Sequence, residues 1–191
     1  MRITVRQENW ALERPFVISR ESSSMAQIIV VELSDGQHVG RGESDPVVYL
    51  GENHASVIAQ VKSLGDSLND DLTPESLLEL LPPGAARNAV DCALWDLQAR
   101  QRGQAVWQLL GLPEPGPVLT TFTLSLDTPE RMAAAAAQAR HFPMLKLKFG
   151  GEGDEARIIA IRNSVPDKRL IIDANEAWTP ALLHKFMPIM A

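Results

Sequence analysis

Chemistry in this chain concentrates on two lysines and one carboxylate. In Leu145-Lys146-Leu147-Lys148-Phe149 apolar and basic residues alternate, and in a β-strand successive side chains go to opposite faces. Lys146 and Lys148 therefore share a face. If helices cover that sheet, the lysines are buried at a cost that calls for a purpose; a solvated edge strand would carry the same pattern. A neighbouring cation and desolvation both favour a neutral amine, so one lysine of a close pair suits general-base work near neutral pH. Spacing alone does not say which one. Asp173 ends the run Leu170-Ile171-Ile172 and is followed by Ala174-Asn175-Glu176-Ala177-Trp178. A carboxylate at a strand tip suits a hard cation such as Mg²⁺, and it equally suits the shaping of a turn.

These residues fall in a stretch built of strand-then-helix units. Strands are predicted at 119–126, 144–149 and 169–173, and helices at 129–141, 154–163 and 180–187. Such alternation implies parallel strands joined by crossovers, in either a doubly wound sheet or a (β/α)8 barrel. No Gly-x-Gly-x-x-Gly follows the first strand, which disfavours a dinucleotide fold. The polar groups sit along strands or at their C-terminal ends, where barrel active sites lie.

Upstream the pattern differs. Ile3-Thr4-Val5-Arg6, residues 25–33 and residues 39–44 read as an antiparallel meander, with the polar segment 14–24 as a flap-like loop. From Asn53 the period becomes helical, with Val57, Val61, Leu64 and Leu68 on one face. Thr73-Pro74-Glu75 opens a second helix, Pro82-Pro83-Gly84 breaks it, and residues 85–102 form the longest helix, stopped at Gly103. This is an α+β domain over 1–112. The Pro/Gly-rich segment 112–117 marks a boundary, and a second domain runs over 118–191.

Composition excludes several classes of function. The chain has 191 residues, 45% of them apolar, and a net charge of −6 with no cluster of Lys or Arg, so a nucleic-acid footprint is missing. Its start, Met1-Arg2-Ile3-Thr4, lacks the apolar core of a signal peptide, and the run 28–31 is too short to span a bilayer. A cytoplasmic protein without membrane contact is expected. Cys92 is the only cysteine, which suits a reducing compartment, and its apolar setting predicts a buried structural thiol. The four histidines lack metal-ligand spacing, and Ser22, Ser23 and Ser24 lack a nucleophile-elbow context.

Lys-x-Lys on one strand, followed by Asp-Ala-Asn-x-x-Trp at the end of the next, resembles the enolase superfamily, muconate-lactonizing subgroup. The helix Ala85-Ala86-Arg87-Asn88-Ala89-Val90-Asp91-Cys92-Ala93-Leu94-Trp95-Asp96-Leu97 is similar to one in that subgroup's capping domain, in particular that of dipeptide (L-Ala-D/L-Glu) epimerases. The resemblance implies a capping domain followed by the first three βα units of a (β/α)8 TIM-type barrel, truncated. It also implies an isomerase: Mg²⁺-dependent epimerisation of a small-molecule dipeptide by α-proton abstraction through an enediolate. On the matching positions, Lys148 would be the acid/base on one face of the α-carbon. Lys146 would contact the substrate carboxylate and favour the neutral form of Lys148. Asp173 would ligate Mg²⁺, Thr123 would touch substrate, and Arg20 would lie in the closing flap. The family's second base and two further metal carboxylates belong to later barrel strands, so this chain alone is expected to be silent. The position three beyond Arg20, where an arginine is expected for Ala-Glu, is Ser23, which leaves the dipeptide open. A homo-oligomer is also left open. The alternatives are a muconate cycloisomerase or o-succinylbenzoate synthase-like enzyme and, in another class, a non-catalytic fragment or binding module.

Overall fold

The computed structural model describes residues 1–190, apart from the side chain of Asp66. Two compact units divide the chain: Met1–Trp10 with Ala26–Gly116, and Ala11–Met25 with the residues from Pro117 on. Ala191, last residue of the expected second domain, lies outside the described residues.

The first unit holds most of strands β1 (Arg2–Val17) and β2 (Ser22–Ser34), whose hairpin ends belong to the second unit, and β3 (Val39–Ser44), in the order β1-β2-β3. Strands β2 and β3 pair antiparallel, from Ile29 opposite Ser44 to Ser34 opposite Val39. Their turn is held by Asp35, whose Oδ1 accepts from the backbone N–H of Gln37 at 2.7 Å and of His38 at 2.6 Å. Helices α1 (His54–Lys62), α2 (Pro74–Leu80), α3 (Ala85–Arg102) and the short α4 (Val106–Leu109) follow. Asn53 and Thr73 each form a capping box with the serine three residues on, satisfying N–H groups that a helix start leaves orphaned.

Strand β3 turns Gly40, Gly42 and Ser44 inward. A Cβ on Gly40 would overlap the carbonyl oxygen of Ala93 and the amide of Leu97, and one on Gly42 would overlap the carbonyl oxygen of Ala89. Helix α3 therefore lies on β3 at backbone contact, and only glycine admits that approach. Its inward stripe of Ala86, Ala89, Val90, Ala93 and Leu97 joins Ile29, Val31, Leu33, Val57 and Val61 in one core. The start of α3 is held from outside: Glu52 Oε1 accepts from Ala85 N at 2.7 Å and Oε2 from Val47 N at 2.8 Å. A carboxylate there also meets the positive end of the helix dipole.

In the second unit three parallel strands, β4 (Thr121–Leu124), β5 (Met144–Lys148) and β6 (Arg169–Asp173), are each followed by a helix: α5 (Pro129–Gln138), α6 (Asp154–Ser164) and α7 (Pro180–Met190). Leu124, Leu145, Leu147 and Phe149 pack with Met132 and Ala136 of α5, Ile158 and Ile161 of α6, and Phe186 of α7. One face of the sheet is thus given to the helices.

Several expectations need correction. The segment 14–24 is not a loop: β1 runs through Val17 and β2 begins at Ser22, so only residues 18–21 connect them. Both strands have mostly exposed residues there, and a polar composition had hidden strand pairing that does not depend on burial. Cys92 is exposed, because rotation along α3 gives the inward positions to Ala89, Ala93 and Leu94. Strand β4 is shorter than the predicted 119–126, α5 stops before His141, and α7 continues past Met187.

Candidate active site

Register builds the site. Thr123 pairs with Lys146, Lys146 with Ile171, and Lys148 with Asp173, and partners in a parallel ladder project to the same face. Thr123, Lys146, Lys148 and Asp173 therefore share the face opposite Leu124, Leu145 and Leu147. Two ammonium groups converge on one oxygen: Lys146 Nζ and Lys148 Nζ are each 2.9 Å from Asp173 Oδ2. The other oxygen, Oδ1, accepts from Asn175 N at 3.0 Å. Lys146, then Lys148, then this amide hold the Asp173 carboxyl well below the usual carboxylate range, since each favours the charged form. A carboxylate bridges the pair, so the lysines are not two isolated cations facing each other.

The two lysines differ in surroundings. Lys148 is 7% exposed, donates also to Asn175 Oδ1 at 3.0 Å, and lies 5.7 Å from the ring centroid of Phe16. The Lys146 side chain is 34% exposed. The turn after β6 is unusual: Asn175 and Glu176 have φ of 45° and 66°, a left-handed conformation that non-glycine residues seldom adopt. It aims Asn175 Oδ1 back at Lys148.

The tip of the β1–β2 hairpin reaches this turn. Ser19 Oγ donates to the Asn175 carbonyl at 3.1 Å, and Arg20 Nη1 lies 2.9 Å from Glu176 Oε2. Arg20 is thus brought to the rim through Glu176. Ser23 is turned into its own strand, with Oγ donating to the Met25 carbonyl at 2.6 Å.

Among the described residues no group of three or more His, Cys, Asp or Glu side chains could hold a metal ion. Asp173 is the one candidate ligand that the sequence nominates. Its ionised, strand-tip oxygens fit a hard divalent cation as a single arm, and Asn175 Oδ1 is a second oxygen donor beside it. Other ligands would have to be water, substrate or further residues.

Sequence reasoning missed Asp154. It is fully buried, and Trp178 Nε1 donates to its Oδ2 at 2.7 Å. The available signal was Gly150-Gly151-Glu152-Gly153 directly after the lysine strand, a run whose free amides need an acceptor.

Comparison with known proteins places the chain. Residues 1–111 match the mandelate racemase / muconate lactonizing enzyme N-terminal domain, and residues 130–190 the enolase C-terminal domain-like family. The L-Ala-D/L-Glu epimerase of Escherichia coli (strain K12) is 44% identical over 178 residues, covering 92% of this chain and 56% of that protein. A crystal structure of an enolase family member from Agrobacterium tumefaciens with homology to dipeptide epimerases, with bound sodium and L-Ala-L-Glu, superposes with a TM-score of 0.92 at 38% identity, over 98% of this chain and 57% of that one. The dipeptide epimerase from Enterococcus faecalis V583, complexed with Mg and L-Leu-L-Tyr, gives 0.85 at 30% identity, over 97% of this chain and 57% of that one. The chain spans about half the length of the curated relatives it matches. By the domain match and by this identity, the chain belongs to the mandelate racemase / muconate lactonizing enzyme family of the enolase superfamily.

Proposed function

We propose that this chain supplies one half of the acid/base machinery of a Mg²⁺-dependent dipeptide epimerase, with its three βα units forming part of a (β/α)8 barrel. The observation that carries the reading is the convergence of Lys146 and Lys148 on Asp173 Oδ2 at 2.9 Å each. Relatives named for dipeptide epimerisation, one of them complexed with Mg and a dipeptide, support it.

The difference in exposure divides the labour. Lys148, 7% exposed, has two of its three N–H directions fixed by Asp173 and Asn175, which suits a group that exchanges a proton with the substrate α-carbon from one side. Lys146, more open, suits the substrate carboxylate. Thr123 stands level with Lys146 and would border the same substrate end. Arg20, at the hairpin tip, would meet a substrate carboxylate in exchange for Glu176. Asp173, assisted by Asn175 Oδ1, would be the arm that holds Mg²⁺, which when bound supplies charge neutralisation to the substrate carboxylate as the α-proton leaves. A positioned general base contributes about 10²–10⁴-fold.

The test, made on protein that also carries the later barrel strands, is α-deuteration of L-Ala-L-Glu, L-Leu-L-Tyr and their epimers in deuterium oxide with Mg²⁺. Exchange from one epimer that is lost by about 10²-fold or more in Lys148→Ala is the expected result. Equal exchange in wild type and variant would overturn the role of Lys148. The binding-module alternative draws on the single metal-type carboxylate at the site, and dipeptide binding with no exchange from any epimer would favour it.

A further inference from the structure

We propose that Asp154 is a positioning residue that fixes Lys148 and Asp173 relative to each other by tying together the segments that follow all three parallel strands. The inference rests on the reading of that pair as an acid/base centre.

Asp154 occupies the first turn of α6, where an acidic side chain ordinarily meets amides of its own helix or solvent. Here it is fully buried, and its bonds reach outside the helix start. The carboxylate accepts from Gly151 N at 2.7 Å and from Gly150 N at 3.2 Å, two residues and one residue beyond Phe149, itself next to Lys148. It accepts from Trp178 Nε1 at 2.7 Å, in the segment that begins at Asp173. Its other oxygen accepts from Arg157 Nη1 at 2.8 Å. Arg157 Nε in turn donates to the carbonyl of Asp127 at 2.8 Å, after β4. One buried anion therefore joins the post-β4, post-β5 and post-β6 segments.

The link to β6 is also packed. Trp178 stacks near Phe149 at 6.0 Å between centroids and meets Phe186 at 5.0 Å. Phe149 N donates to the Asp173 carbonyl at 3.1 Å, so the strand ends are laced together on both sides of the reactive pair. A buried carboxylate with this many donors is rigid, because losing any one of them leaves a buried lone pair unsatisfied. Displacement of reacting groups by about 1 Å can cost about 10²-fold. The Asp154 brace sets the turn that carries Asn175 and hence the second contact of Lys148.

Trp178→Phe removes the Nε1–H donor while keeping an aromatic ring; Asp154→Asn keeps one acceptor oxygen and removes the charge. Both are compared with wild type by competitive acetylation of lysines under limiting anhydride, mapped by mass spectrometry, with Lys62 on α1 as internal reference. The expected result is that Lys148 labels about tenfold faster relative to Lys62 in both variants, as its locked contacts loosen. Where α-proton exchange is measurable, kcat falls about 10²-fold with KM changed by less than about threefold. Unchanged Lys148 labelling in folded variants whose midpoints have fallen would overturn the proposal and leave Asp154 a purely stabilising group. Labelling that responds while protein completed by the later barrel strands exchanges no α-proton would uphold the brace and sink the epimerase reading instead.

Discussion

Strands β3 and β5 are built on the same rule and do opposite work. In β3, Val39-Gly40-Arg41-Gly42-Glu43-Ser44, two of the three inward positions carry glycine, and the gain is close approach of α3. In β5, Met144-Leu145-Lys146-Leu147-Lys148, one set of positions carries leucine for packing and the other carries the lysines. Period-two geometry is indifferent to which of these is written into it. In β3 the helix-facing side is given up to close approach and the other, Val39, Arg41 and Glu43, is exposed; in β5 the leucine side packs and the lysines of the other side converge on Asp173.

Substitutions should separate the two uses, and the largest effect belongs to β3. Gly42→Val would drive a branched side chain into the carbonyl oxygen of Ala89 and the amide of Ala93, backbone atoms that cannot rotate away. Overpacking of this kind costs about 1–3 kcal/mol when side chains can yield, and more is expected here, since α3 must lift off the sheet. Urea unfolding followed by circular dichroism should give a midpoint far below that of wild type. A Gly42→Val protein with the wild-type midpoint would show that the helix has room to retreat.

A charge change in β5 should be milder for the fold and decisive for the site. Lys148→Met keeps the length of the buried stem, and Asp173 retains Lys146 as partner. Asp173 is itself 28% exposed, so solvent screens the loss, and a stability change of about 1 kcal/mol or less is expected. With the later barrel strands present, dipeptide α-proton exchange from one epimer should be lost with it. If the urea midpoint of Lys148→Met fell as far as that of Gly42→Val, β5 would be as much a structural strand as β3.

The parts of the fold that were legible in the sequence are those governed by local periodicity. The shared face of Lys146 and Lys148 follows from alternation, Asp173 at the strand tip follows from the end of an apolar run, and the stop of α3 at Gly103, φ 60°, follows from glycine's freedom there. The hairpin escaped, because residues 14–24 are rich in Ser and Arg around the short run Phe16-Val17-Ile18, and their strand residues are mostly exposed, so no buried face marks the pairing. Asp154 escaped for a related reason: its partner Trp178 is 24 residues away, and nothing in a first-turn acid announces burial. Asn175 was visible as a turn former, but its contact with Lys148 depends on a left-handed φ of 45°.

The smallest expected effect compares two carboxylates whose affinity for protons is lowered by different means. Asp35 is held well below the usual carboxylate range first by the backbone N–H of His38, then by the Gln101 side chain and the N–H of Gln37; Asp173 is held down first by hydrogen bonds from the Lys146 and Lys148 ammonium groups, then by the Asn175 N–H, with the Lys148 charge adding to them. Both have folded pKa values depressed below the unfolded value of about 3.9. The stabilisation each contributes is therefore complete above that value and is lost as pH falls below it toward the folded pKa. Asp35→Asn should lower the melting temperature slightly at pH 7, and the gap to wild type should close as pH drops below about 4, where the wild-type unfolded chain takes up its proton. Salt distinguishes the two mechanisms. Raising ionic strength from about 0.05 to 0.5 M shortens the screening length severalfold, which weakens the lysine charges felt by a partly exposed Asp173 and leaves the short amide hydrogen bonds to Asp35 nearly as they were. Carboxylate titration followed by carbon NMR should thus show Asp173 moving up toward its ordinary value with salt while Asp35 stays. Equal salt shifts for both would mean that net charge, and not the local partners named here, sets the proton affinity of these two groups.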